Sequence, residues 1–318
     1  MAAGRLIVIL GPTATGKSDV AVRLARRIGG SIISADSIQV YRGLDAGSCK
    51  PPLESRREIP HALIDVADPS EPFSAGRFAR MATEAIEQAR GAGRVPIVAG
   101  GTGLYLKALL EGIAPMPPRD DQVRRELYAR AAATRPEELH RELASLDPDA
   151  ARRIGERDLQ RTVRALEVLR LTGAPMSRHL ELARFRPEVV PSLKVGLTME
   201  RAMLYRRVDE RVEGIFDAGI VEEVRSLLAS GVPESANALK ALGYREVASH
   251  LRKEIDLARA VDLVKRNTRR YARRQIIWFR RVVNVRWFDA GALSPDEIAA
   301  RVAVMHEERE PERHPGGA

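Results

Sequence analysis

Gly11-Pro12-Thr13-Ala14-Thr15-Gly16-Lys17-Ser18 is the stretch on which the fold turns. It matches G-x-x-x-x-G-K-[ST]. An apolar run, residues 5–10 (RLIVIL), comes directly before it, and a helix-like run over residues 18–27 follows, stopped by Gly29-Gly30. In that setting the glycines let backbone N–H groups turn inward around phosphate oxygens. The helix N-terminus adds the positive end of its dipole. Lys17 supplies a point charge, and the Ser18 hydroxyl is a ligand for Mg²⁺.

Working outward, buried strand-like runs alternate with helical ones. Residues 31–35 (SIISA) read as a strand ending at Asp36, 62–66 (ALIDV) as a short strand, 75–93 as an amphipathic helix, 95–100 (VPIVAG) as a strand before a Gly-Gly-Thr-Gly turn, and 193–198 (LKVGLT) as a further strand. This predicts an α/β, P-loop NTPase-like parallel sheet with helices on both faces. A proline break at 114–118 (APMPP) opens a region without strand signal, in which 120–133, 136–145, 148–154 and 158–172 carry helical periodicity. It is expected to be an inserted all-helical domain, residues 115–189, interrupting a core made of 1–114 and 190–290. Within the core, 200–286 reads as mostly helix with a break near 231–233. The charged, Pro/Gly-rich end, 307–318, reads as a disordered tail.

Composition narrows the function classes. The 318 residues are 44% hydrophobic but only 4% aromatic, so the core is built from aliphatic side chains, and the formal charge of +9 favours an acidic partner. The one cysteine, Cys49, excludes an internal disulfide and a zinc cluster and suits a reducing cytoplasm. The apolar start is too short for a secretory signal, and no run is long enough to span a membrane.

A phosphate loop implies a polyphosphate, not ATP in particular. ATPases and GTPases also need an acid at the end of a second apolar strand. VPIVAG ends in Gly100-Gly101-Thr102 without one, and Asp65 follows only a short run. Asp36 is better placed. It starts the polar string Asp36-Ser37-Ile38-Gln39-Val40-Tyr41 at the carboxyl end of a strand, where ligands bind in such sheets. A cap or a ligand to metal-bound water are alternative roles for it.

The positive charge is concentrated. Between Asp262 and Asp289 there is no acid, and nine basic residues stand there: Lys265, Arg266, Arg269, Arg270, Arg273, Arg274, Arg280, Arg281 and Arg286. Tyr271, Trp278 and Phe279 interleave with them, a combination suited to phosphate contact plus base stacking. The competing reading is a solvated helix face with its aromatics in the core. A second helix, around 158–171, puts Gln160, Arg161 and Arg164 opposite Leu159, Val163 and Leu166. A small-molecule kinase would use the helical insertion as a lid, but it leaves the basic last third unexplained. A nucleic-acid-dependent ATPase lacks its strand-end carboxylate.

Taken together, GPTATGKS (11–18), ADSIQVYRGLDAGSCKP (35–51), PHALIDV (60–66), VAGGTGLYLKALLEG (98–112), DLQRTVRALEV (158–168), LYRRVDERVEGIFDAGIVEEV (204–224), KALGYRE (240–246) and RRQIIWFR (273–280) resemble the bacterial tRNA dimethylallyltransferases. The matches run in order to about residue 290. Departures are small: the family usually has Ala where Cys49 stands and commonly His where Ala62 stands, and the zinc finger of eukaryotic relatives is missing. The resemblance implies transfer of a dimethylallyl group from its diphosphate to N6 of the adenine 3′ of the tRNA anticodon, with Mg²⁺, in a cytoplasmic monomer. It implies Asp36 as general base, Thr102 at the reacting centre and Arg211 near the diphosphate; a surface salt bridge to Asp209 or Glu213 is the alternative for Arg211. It further implies tRNA contacts from Asp36, Ser37, Ile38, Gln39, Thr102 and Arg124, from Gln160, Arg161, Thr162, Val163 and Arg164, from Lys240, Gly243, Tyr244 and Arg245, and from Arg273, Arg274, Gln275, Trp278 and Arg280.

Overall fold

The computed structural model describes residues 5–114, 116–184 and 190–308. Six parallel strands form one sheet: β1 (Leu6–Leu10), β2 (Gly30–Ser34), β3 (His61–Ala62), β4 (Val95–Gly100), β5 (Ser192–Thr198) and β6 (Val285–Asp289), in the order β3-β2-β4-β1-β5-β6. β1 sits inside, with Ile7 opposite Ile97 of β4 on one side and Leu193 of β5 on the other.

The period of two decides which face each side chain serves. Leu6, Val8 and Leu10 point into one core layer with Ile33, Val98 and Phe78, while Ile7 and Ile9 point into the other with Ile97, Val195 and Leu24. A strand buried on both faces needs apolar residues at every position, which is why RLIVIL shows no alternation. The first layer is covered by α3 (Ala75–Gly91), α4 (Gly103–Leu110), α11 (Ile220–Ala229) and α12 (Tyr244–Leu251). The second is covered by α1 (Lys17–Ile28), α10 (Arg201–Asp217) and α14 (Pro295–Glu307), whose Ile298 and Val302 are fully buried. α13 (Leu257–Phe279) contributes to both layers, through Phe279 and Ala272. Helices therefore cover both faces, as the alternation predicted.

Three expectations need correction. The strand at 62–66 shrinks to His61–Ala62, because Leu63 and Asp65 take left-handed φ values of 63° and 60°. Asp65 is pinned there by Lys50 (2.5 Å) and Arg56 (2.8 Å). The mostly helical reading of 200–286 missed β6, whose apolar content is interrupted by Arg286 and whose position at the sheet edge leaves it partly exposed. Of the expected tail, 307–318, Glu307 is still the last residue of α14, and residues 309–318 lie outside the described ones.

The chain divides into two compact units, residues 1–110 with 190–318, and residues 111–189. The described part of the second is helical: α5 (Asp121–Ala133), α6 (Pro136–Leu146), α7 (Pro148–Arg153), α8 (Leu159–Thr172) and α9 (Met176–Arg184). It has its own core of Leu127, Leu139, Leu143, Ile154, Val163 and Leu166. No helix among the described residues is long and apolar enough to cross a membrane.

Candidate active site and nucleic-acid interface

The phosphate loop leaves β1 at Gly11, where only glycine fits: φ is 146°, and a Cβ there would lie 2.6 Å from the Leu197 carbonyl oxygen of β5. Ala14 and Gly16 are left-handed, with φ of 64° and 81°. Gly16 starts α1 with no side-chain cap, so the first helical amides remain available to an anion. Thr15 Oγ1 (2.9 Å) and Lys17 Nζ (2.6 Å) both donate to the Pro12 carbonyl, which closes the loop on itself. Burial pushes Lys17 down to about 7, the Arg211 guanidinium pushes in the same direction, and Asp36 opposes them. Lys17 of the loop and Arg211 of α10 repel one another beside the same cavity, an arrangement that an anionic ligand would relieve.

The turn after β2 is fixed by its own side chains. Asp36 Oδ1 accepts from the amides of Ile38 (2.8 Å) and Gln39 (3.4 Å). Thr102, in the turn after β4, accepts from the Ser37 amide at 3.1 Å. Gln39 is buried; its amide donates to the Ser48 and Cys49 carbonyls, both at 3.3 Å, and accepts from Ser34 Oγ at 2.8 Å. Ser37 and Ile38 are half-exposed.

These turns surround a cavity of about 590 Å³ lined by Thr13, Ala14, Gly16, Lys17, Ser18, Asp36 and Arg211 among others. A neighbouring cavity of about 560 Å³ shares Thr13, Asp36, Arg211 and Tyr271 with it. The second cavity has an apolar wall from Ile38, Val212, Ile215 and Val264 and a basic one from Lys240, Arg245, Arg270 and Arg274. The sequence reading missed Arg207 and Glu210, which line the first cavity with Arg211. The i, i+4 spacing of Arg207 and Arg211 was the available signal. It also gave Tyr271 no place at the reacting centre. Burial, then Asp36, push Tyr271 up to about 12, against hydrogen bonding from Thr102 and Gln275.

The salt-bridge alternative for Arg211 is not realised. Asp209 is taken by Arg269 (2.7 Å) and Glu213 by Lys265 (2.5 Å). Those same pairs correct the picture of nine uncompensated cations: acids distant in sequence, on α10, neutralise two of them. Arg266, Arg270, Arg273, Arg274, Arg280, Arg281 and Arg286 are exposed and have no ion pair among the described residues. Arg274 sits 5.7 Å from the Tyr271 ring centroid. Phe279 is core, while Trp278 is 39% exposed beside Gly103.

Several side chains expected at the RNA face turn inward. Tyr244 is 0% exposed: its ring packs on Gly47 and its hydroxyl donates to Glu223 at 2.7 Å. Gly243 is also buried, leaving Lys240 and Arg245 exposed on that segment. Gln275 is 6% exposed and bonded internally. In the helical unit, Thr162 and Val163 are buried, because their side of α8 meets the local core. Arg124 and Arg164 both close on Glu167, which is 0% exposed, at 2.9 and 2.7 Å. They are internal struts; Gln160 and Arg161 remain exposed at the start of α8.

Metal ligation can be tested on the donor set. The first cavity presents oxygen donors from Ser18, Asp19, Ser34, Asp36 and Glu210. Among the described residues no three His, Cys, Asp or Glu side chains cluster tightly enough to cage an ion. The oxygen donors that line the cavity are of the hard type that a divalent cation sharing water and phosphate oxygens would take.

Comparison with known proteins places this geometry in context. The family model described as IPP transferase matches residues 39–282, and that of isopentenyl transferase matches residues 4–61. The chain is 48% identical over 285 residues to the tRNA dimethylallyltransferase of Geobacter metallireducens, covering 90% of this chain and 92% of that one. It is 44% identical over 305 residues to that of Desulforudis audaxviator, with 96% and 98% covered. Among solved structures it is similar to the tRNA isopentenylpyrophosphate transferase of Bacillus halodurans, with a TM-score of 0.69, 38% identity and coverage of 96% and 97%. It is similar as well to a eukaryotic dimethylallyltransferase acting on tRNA, with a TM-score of 0.75, 27% identity and coverage of 94% and 78%.

Proposed function

The chain belongs to the IPP transferase family, and on that premise we propose that its paired cavities transfer a dimethylallyl group from dimethylallyl diphosphate to N6 of a tRNA adenine, the one immediately 3′ of the anticodon. The observation that carries this reading is the convergence of Lys17 and Arg211 on one cavity whose wall, through Asp36 and Tyr271, is also the wall of a second, basic-rimmed one. The diphosphate lies in the first cavity, on the amides of the phosphate loop, Lys17 and Arg211. The adenine enters from the second, flipped out of the anticodon loop.

The N6 lone pair forms a bond to C1 of the allyl group as the C1–O bond breaks. The diphosphate leaves with the bonding electrons, and the Asp36 carboxylate takes the proton from N6. Charge on the leaving oxygen is met by Lys17, Arg211 and the helix N-terminus, groups fixed before the reaction starts. Ile38, Val212 and Ile215 keep water from the allyl carbon as it gains cationic character. Ser18, with Asp36 or Glu210, would hold Mg²⁺, which when bound neutralises diphosphate charge. Arg270, Arg273, Arg274, Arg280, Lys240 and Arg245 hold RNA phosphates, and Gln160 with Arg161 add contacts from the helical unit. We assign the protein to the cytoplasm, as a monomer.

The test is one assay. Unmodified tRNA is incubated with the protein and either dimethylallyl diphosphate or ATP, and the RNA is weighed by mass spectrometry. The reading requires a gain of one dimethylallyl group with the first donor alone. ATP consumption without mass gain would replace it with the ATPase reading.

A further inference from the structure

We propose that Gln275 is a positioning residue that locks the phosphate loop to the turn carrying Thr102, and so registers RNA bound along α13 against the leaving group. The inference rests on the transfer reaction proposed above. Gln275 Oε1 accepts from the Thr13 amide at 2.9 Å, and Nε2 donates to the Gly101 carbonyl at 2.8 Å. Thr13 belongs to the loop after β1, and Gly101 to the turn after β4, the neighbouring strand. One planar amide thus spans the two loops that carry the diphosphate side and the Thr102 side of the site.

The arrangement admits one orientation. Rotating the amide by half a turn would set its NH₂ against an N–H and its oxygen against a carbonyl, and the part-buried Thr13 amide and the buried Gly101 carbonyl would both lose their partner. Gly101 is shaped to this contact: a Cβ there would stand 2.4 Å from Nε2. The residues just before it on α13, Arg273 and Arg274, are exposed and without acidic partners, and Tyr271 one turn earlier lines both cavities. A segment of one rigid helix therefore faces RNA with one side and grips the phosphate loop with the other. In-line transfer depends on the spacing of acceptor and donor, and a misplacement of about 1 Å can cost on the order of 10²-fold in rate.

The test uses Gln275→Met, similar in length but without donor or acceptor, and Gln275→Glu, which keeps the acceptor toward Thr13. For Gln275→Met, kcat should fall about 10–100-fold at saturating tRNA, with tRNA affinity in the absence of donor unchanged. For Gln275→Glu, activity relative to wild type should recover as pH falls, because a protonated carboxyl can again donate to the Gly101 carbonyl. Inorganic diphosphate should bind Gln275→Met about tenfold more weakly, a change of about 1.4 kcal/mol, and this is read without turnover. If wild type fails to modify tRNA, the reaction assignment falls while the diphosphate measurement still decides the lock. The proposal is overturned if Gln275→Met binds diphosphate as wild type does. It is also overturned if kcat per folded molecule is unchanged, or if only tRNA affinity drops, which would make Gln275 a direct RNA contact.

Discussion

The Ile38 amide donates to Asp36 Oδ1 at 2.8 Å, and Oδ2 of the same carboxylate has no hydrogen-bond partner among the described residues. One oxygen holds the turn, and the proposed transfer would use the other as its proton acceptor. Asp36→Ala should lower the transfer rate about 10²–10⁴-fold. Asp36→Asn separates the two jobs, since its side-chain oxygen can still accept from Ile38 but cannot take a proton. It should lose comparable turnover at an unchanged melting temperature. Normal turnover in the Asn variant would move the proton to another acceptor.

Under the proposed reaction, Lys17 would make diphosphate binding a proton-linked event. Its pKa is lowered from 10.5 to about 7 by burial and by Arg211. Above pH 7 the empty protein holds Lys17 largely neutral, and an arriving anion favours the charged form. Binding at about pH 8 should therefore take up close to one proton, and uptake should fade below pH 7, where Lys17 is already charged. Calorimetry in two buffers of different ionisation enthalpy measures this, and Lys17→Met should abolish it. The sign for stability follows: between about 7 and 10.5 the unfolded chain binds a proton that the folded one lacks, so the empty protein gains stability as pH rises through that window.

The two kinds of cation on α13 should behave differently. Arg273 and Arg274 are exposed and unpaired with acids, so replacing both by Gln should weaken tRNA binding and flatten the slope of log K against log salt by somewhat under two units, about 0.7–0.9 for each phosphate contact. Lys265 and Arg269 already face Glu213 and Asp209. Replacing that pair by Gln should leave the salt slope nearly unaltered and lower thermal stability instead. Equal slopes in all three proteins would remove the phosphate-contact role from Arg273 and Arg274.

That contrast shows where the sequence stops informing. The phosphate loop was legible because a local spacing fixes its geometry, and the central strands because burial on both faces forbids polar residues in them. The pairing of Lys265 and Arg269 was not legible, since their acids lie on another helix. Arg124 and Arg164 read as RNA contacts until Glu167 appears between them, and Tyr244 until Gly47 and Glu223 seal it in. Glu210 and the inward face of Gln275 depend on how α10 and α13 are rotated over the sheet, a tertiary fact with no local signature, whereas Arg207 left only its i, i+4 spacing from Arg211. β6 was missed because an edge strand need not be uniformly apolar.

Cys49, the chain's one cysteine, lines the same cavity as Lys17. A maleimide adduct at Cys49 should therefore block diphosphate binding, and inorganic diphosphate should slow the labelling. Cys49→Ser should remain active and resist the reagent. Labelling that leaves diphosphate affinity intact would place the diphosphate elsewhere.

The central strand has a consequence for biosynthesis. β1 ends at Leu10, yet its two partners are β4 and β5, and β5 begins only at Ser192. A ribosome adding roughly 5–20 residues per second needs on the order of 10–40 s to make the intervening chain. Throughout that interval the most apolar strand of the molecule has no sheet to enter on one side. The residue that braces the phosphate loop, Gln275, emerges later still. The nascent chain is thus exposed at its start and completed near its end, and the dependence of its solubility on chaperones should be concentrated in that interval.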